Sequence, residues 1–128
     1  MEKNESNFLG AFSYILVAGS AILLLLLKGD DDFIRFHSVQ SIAFSIVAFI
    51  FLVIVSLTEL LISFQQLIPL LVIPNFIYLI IFFAFLALWI NLIYRAFNGN
   101  KYSFPLFKSL MNKINNYLEI LKINRNTR

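Results

Sequence analysis

Three long apolar runs, separated by short polar breaks, dominate the pattern along the chain. Residues 8–27 contain no charged side chain. Twenty residues in a helix rise about 30 Å, the thickness of a bilayer's hydrocarbon core. A cleaved signal peptide competes for this segment, but its leader Met1-Glu2-Lys3-Asn4-Glu5 is not positively charged. The run Ile22 to Leu27 also continues past the small-residue cluster at 18–21. The pattern therefore predicts a first span over about 8–27. A second run, about 38–62, is rich in Ile, Val and Phe. In water those residues would favour a strand; in lipid a run this long must satisfy its own backbone, which predicts a helix. A third span is predicted over about 76–97, with Trp89, Tyr94 and Arg95 as interfacial anchors. Asn98-Gly99-Asn100 then stops the helix, because Gly and Asn readily adopt the left-handed conformation. Between the last two runs, Gln65, Gln66, Pro69 and Pro74 break the pattern at 63–75. That stretch reads as an interfacial turn, with a shallow re-entrant segment as the alternative.

The tail changes period. Phe107, Leu110, Met111, Ile114, Tyr117, Leu118 and Leu121 recur at helical spacing, with Lys108, Asn112, Lys113 and Glu119 on the other side. This predicts an amphipathic helix over about 104–122, with Ser103 as N-cap, lying on the membrane or packed on protein. The expected fold is all-α: one polytopic membrane domain, residues 1–128, with three transmembrane helices and a C-terminal interfacial helix.

Composition agrees. Only 13% of residues are charged and 60% are hydrophobic, with a mean hydropathy of +0.85. Soluble domains carry about 25% charged residues, and a small soluble domain could not hide so much apolar surface. The net charge of +3 stands beside apolar spans, so it reads as an orientation signal and not as a nucleic-acid footprint. With three spans, nine of the ten basic residues collect on one side, Lys101 and the tail among them, and Lys3 alone faces the other. The expectation is therefore a multi-pass cell (plasma) membrane protein with its N-terminus outside and its C-terminus cytoplasmic. The basic tail would suit anionic lipid.

Candidate chemistry is sparse. With no cysteine and one histidine, thiolate catalysis and a multi-histidine metal site within one chain are excluded. No phosphate loop, nucleophile elbow or calcium loop around Asp30-Asp31-Asp32 is found, so no catalytic residue, cofactor or metal is expected. The richest stretch is Phe33-Ile34-Arg35-Phe36-His37-Ser38-Val39-Gln40-Ser41, where His37, Gln40 and Ser41 share one helical face. His37 there could sense pH or relay a proton; an anchoring, hydrogen-bonding role is the plainer reading. Arg35 lies beside it. Ser20, Ser45 and Asn91 fall at similar depth in the three predicted spans, which predicts an inward-facing polar layer. Gly10, Ala11, Ala18, Gly19 and Ala21 form a close-packing face on the first span.

The 33–41 stretch resembles the signature of a family of small bacterial and archaeal membrane proteins, a domain of unknown function. Tyr94-Arg95-Ala96-Phe97-Asn98-Gly99-Asn100-Lys101-Tyr102-Ser103-Phe104-Pro105 resembles that family's second signature. The family is distantly similar to the Tic channel subunit of chloroplast import, and certain magnetosome-membrane proteins look similar too. With the spans between, the resemblance covers most of residues 8–110, and it implies fold and location. One family position, often Gly, is Lys108 here. The functional expectation is a non-enzymatic, oligomerising assembly or transport-accessory subunit, partnered by the lipid bilayer and by its own copies or other membrane proteins. The alternative is a small channel or carrier lined by His37, Gln40, Ser45 and Asn91.

Overall fold

The structure is a computed structural model that describes residues 3–16, 18–64 and 72–126, with side chains as far as 122. It is helical, with no strand among the described residues. The order is α1 (Lys3–Phe12), α2 (Ala18–Lys28), α3 (Asp32–Phe64), α4 (Val72–Phe97) and α5 (Pro105–Asn126). Two compact units divide the chain: residues 1–45 with 92–128, and Ile46–Asn91.

The unit Ile46–Asn91 holds the apolar stretches of α3 and α4. None of its described residues is buried, and Glu59 is its only charged side chain. Residues 46–64 and 72–91 rise about 28 and 30 Å as helices, close to the hydrocarbon thickness. Inside it, Phe51 sits 6.0 Å from Tyr78, edge on, and stacks 5.7 Å from Phe85. Thr58 hides its hydroxyl by bonding the Ile54 carbonyl one turn back (2.8 Å). α3 and α4 are the two described helices long and apolar enough to cross a membrane. Each runs further than the apolar pattern predicts, α3 to Phe64 and α4 from Val72. Pro74 stands in the first turn of α4, where its missing N–H removes no helical bond. The expected interfacial turn falls mainly on 65–71, outside the described residues.

The other unit departs from the expected fold. The predicted single span 8–27 is two helices, broken by a turn at 13–16. Polar groups inside the run cause the break. Ser13 turns its hydroxyl back onto the Gly10 carbonyl (2.7 Å). Tyr14 and Ile15 take three-residue hydrogen bonds to Ala11 and Phe12 (both 3.1 Å). The Ser13 carbonyl then accepts from the Ser20 and Ser41 hydroxyls (2.9 and 2.8 Å). α2 returns beside α1, because Lys28 at its end meets Glu5 in the first turn of α1 (2.7 Å).

Gly10 permits this packing. A Cβ there would lie 2.6 Å from the Phe33 ring and 3.3 Å from His37 Cδ2. Gly10, Ala11, Ser20 and Ala21 are buried within the chain, whereas a Cβ on Gly19 would meet nothing within 4 Å. The small-residue face of the first run thus serves mostly internal packing.

Asp31 starts α3: its Oδ1 accepts from the Phe33 and Ile34 backbone N–H groups (2.9 and 3.0 Å), an N-cap. α4 ends as the Asn-Gly-Asn pattern predicts. Gly99 has φ 74°, its N–H bonds the Ala96 carbonyl, and the Asn100 N–H bonds the Arg95 carbonyl, a Schellman closure. α5 runs antiparallel to the start of α3. Phe107 packs edge-on against Phe44 (5.9 Å), Glu119 reaches Arg35 (3.6 Å) and Lys122 reaches Asp30 (3.3 Å). Its expected apolar stripe divides: Phe107 and Met111 are buried, Tyr117 and Leu121 exposed. Ser103 does not cap the helix; its hydroxyl contacts Met111 Sδ at 3.6 Å.

Candidate functional site

A polar core sits where α1, α2, α3 and the 98–104 connection meet. Tyr14, His37, Gln40, Ser13, Ser20 and Ser41 are all buried there. Each comes from a turn or helix face described above: Tyr14 and Ser13 from the break, Ser20 from α2, and His37, Gln40 and Ser41 from successive turns of α3.

The hydrogen-bond directions follow from an inventory of protons. The Gln40 Nε2 amide donates to the Tyr102 carbonyl (2.9 Å), which turns Oε1 toward Tyr14. Reversing the amide would set oxygen against oxygen. The Tyr14 hydroxyl therefore donates to Gln40 Oε1 (2.9 Å). A phenol has one proton, so toward His37 Nδ1 (3.1 Å) the Tyr14 oxygen can only accept. His37 thus carries its proton on Nδ1. Three rings enclose the imidazole: Phe33 at 4.5 Å, Phe36 at 5.1 Å and Tyr14 at 5.9 Å between centroids. His37 Nε2 and Ser38 Oγ are buried without a hydrogen-bond partner among the described residues. Nitrogen-15 spectra of labelled protein in detergent should show the Nδ1–H tautomer at neutral pH. An Nε2–H signature would contradict this proton order.

The three consecutive aspartates serve three different places. Asp30 pairs with Lys122 of α5, Asp31 caps α3 and accepts from Ser6 of α1 (3.3 Å), and Asp32 pairs with Lys101. Arg95 lies 4.1 Å over the Tyr102 ring, whose backbone carbonyl holds Gln40. A guanidinium over an aromatic face is favourable by about 0.5–1 kcal/mol at exposed sites.

Among the residues singled out by sequence, His37, Gln40 and Ser20 therefore enter the core, the first two joined through Tyr14. Arg35 stands at the rim with Glu119. Ser45 is half-buried and bonds its own helix at the Ser41 carbonyl (2.7 Å). Asn91 is exposed and belongs to the unit Ile46–Asn91, whereas Ser20 and Ser45 belong to the other. Trp89 is half-buried in the unit Ile46–Asn91, Tyr94 is exposed, and Lys101 pairs with Asp32. Sequence reasoning missed Ser13, Tyr14 and the Tyr102 carbonyl. A lone phenol deep in an apolar run was the available signal for Tyr14; nothing marks a backbone carbonyl.

The two signature stretches, 33–41 and 94–105, meet across this core at Gln40–Tyr102. The family described as the magnetosome magnetite crystal formation protein family (MamF/MmsF) matches residues 6–111, which hold all the core's hydrogen-bonding side chains. The chain belongs to that family. It is also 34% identical over 118 residues to the "UPF0132 membrane protein MJ1527" of Methanocaldococcus jannaschii, covering 92% of this chain and 74% of that relative. No solved structure matches. Membership in the MamF/MmsF family and the two apolar helices make this chain a membrane protein of a family whose function is open.

Proposed function

We propose that the chain is a non-enzymatic membrane subunit that oligomerises and serves an assembly or transport-accessory role, with its basic tail in the cytoplasm. The observation that carries this reading is how the polar side chains are engaged. Tyr14 bonds both His37 and Gln40, Ser20 and Ser41 bond the Ser13 carbonyl, and the aspartates bond basic or backbone groups of the same chain. These groups hold a fold together. An acid–base site would instead present such a group toward a substrate's proton. Both helices of the unit Ile46–Asn91 offer an apolar exterior to lipid or to neighbouring membrane helices. The family description speaks of crystal formation in a magnetosome, and an organising role at a membrane is the part of it that this architecture suits. Seven of the ten basic residues follow α4 or close it, which favours a cytoplasmic tail in the cell membrane.

The channel reading asks His37, Gln40, Ser45 and Asn91 to line one path. Here the first two are closed into the core. Native mass spectrometry of the protein in lipid nanodiscs tests the proposal. Two or more chains per particle are expected, with no solute flux in liposomes. A strict monomer, or flux abolished by Asn91→Ala, would overturn it.

A further inference from the structure

We infer that α1, the turn at 13–16 and α2 form a re-entrant hairpin seated among the acyl chains of the cytoplasmic leaflet. The hairpin enters and leaves on the same side, so the amino terminus and the tail share a face of the membrane. This goes beyond the assembly role and does not rest on it.

Length is the first argument. α1 has 10 residues and α2 has 11, so the arms rise about 15 and 16 Å, half of a hydrocarbon core of about 30 Å. A continuous helix would hold positions 5 and 28 about 35 Å apart; in the structure their side chains meet at 2.7 Å. Both ends of the pair are therefore on one level. That level is polar: Glu5 with Lys28, and Ser6 with the Asp31 cap.

The surface is the second argument. Phe8, Ile15, Leu16, Ile22, Leu26 and Leu27 are exposed by half or more, Leu26 by 77%. Ile15 and Leu16 are at the tip, farthest along the chain from the charged ends. An apolar tip with charged ends matches a leaflet, apolar inward and polar at the headgroups. The N–H groups of residues 13–16 meet the condition for non-helical backbone at membrane depth, which is satisfaction by protein. The N–H groups of Ser13, Tyr14, Ile15 and Gly19 bond carbonyls three or four residues back. The Leu16 N–H bonds Ser20 Oγ (3.3 Å), and the Ser13 carbonyl takes two hydroxyls.

Charge is the third. If the first run crossed, Lys3 would stand alone opposite nine basic residues. With the hairpin returning and α3 and α4 crossing, all ten Lys and Arg fall on one side and the opposite side has none. The positive-inside rule favours that distribution, and anionic headgroups of the cytoplasmic leaflet complement it. Lys3, Lys108 and Lys113 are exposed there.

The cysteine-free chain makes the test direct. Single cysteines at Lys3→Cys, Ser63→Cys and Asn116→Cys, all exposed positions, are labelled with a membrane-impermeant maleimide in intact cells and in inverted vesicles. Positions 3 and 116 should label together in inverted vesicles and position 63 in cells. Position 3 labelling with 63 would overturn the hairpin. A fluorescent protein at the amino terminus, bright in the cytoplasm and dark when exported, settles sidedness if a variant labels poorly. Depth is read with an environment-sensitive dye on Leu16→Cys and acyl-brominated lipids. Several-fold quenching is expected; its absence would overturn the seat in lipid even if the sidedness holds.

Discussion

Tyr14→Phe is expected to lower stability by about 2–4 kcal/mol, measured by denaturant titration of the protein in detergent micelles. The substitution removes one oxygen and no packing volume to speak of. That oxygen is the donor to Gln40 Oε1 and the acceptor for His37 Nδ1–H, and both partners are buried. A buried polar group left unsatisfied costs about 1–3 kcal/mol, and two are stranded at once. Ser45→Ala is the control. Among the described residues its hydroxyl bonds a carbonyl of its own helix, so its loss should change stability by less than about 0.5 kcal/mol, as interior serine back-bonds add little to a helix. If Tyr14→Phe is as mild as Ser45→Ala, the core is not held by this relay of hydrogen bonds.

Gly29→Ala should be comparably damaging, while Gly19→Ala should be harmless. Both glycines stand in or beside α2. At Gly29 a Cβ would fall 2.3 Å from the Leu25 carbonyl oxygen, a backbone atom in the last turn of the helix. Relief requires that turn to move, and with it Lys28, whose ammonium ties the hairpin to Glu5. Overpacking of this kind costs about 1–3 kcal/mol. At Gly19 the same methyl meets nothing within 4 Å and the residue is helical. There alanine's better helix propensity, up to about 1 kcal/mol, should be neutral or stabilising. The paired melts in one detergent decide the matter: equal midpoints for the two variants would mean that the turn after α2 tolerates a side chain.

The apolar pattern carries the two long helices, though each runs past its predicted bounds, because spanning segments must be long, apolar and self-bonded whatever surrounds them. It shows the Gly99 stop for the same local reason: a left-handed residue is a property of the turn itself. His37, Gln40 and Ser41 share a face by spacing alone. What that face touches depends on residues 23–28 positions away, Tyr14 and Ser13, and no local rule names them. The first run misleads because hydropathy averages Ser13, Tyr14 and Ser20 into twenty otherwise apolar positions. In the structure those three side chains decide the path of the chain. The aspartate run looks like one cluster in sequence, yet it divides among α5, α1 with α3, and Lys101, because each carboxylate leaves the chain in a different direction.

The polar-cored unit is built from two stretches, 1–45 and 92–128, with the apolar helices of 46–91 between them in the sequence. This imposes an order on biogenesis. When Gln40 leaves the ribosome, the carbonyl of Tyr102 that will receive its amide does not yet exist, nor do Lys101 and Lys122 for Asp32 and Asp30. The apolar helices are synthesised in the interval and reach the insertion machinery first. The contacts of the polar-cored unit therefore close only after the apolar helices have been synthesised, and the hydrogen bond from Gln40 to Tyr102 marks a chain complete past both of them.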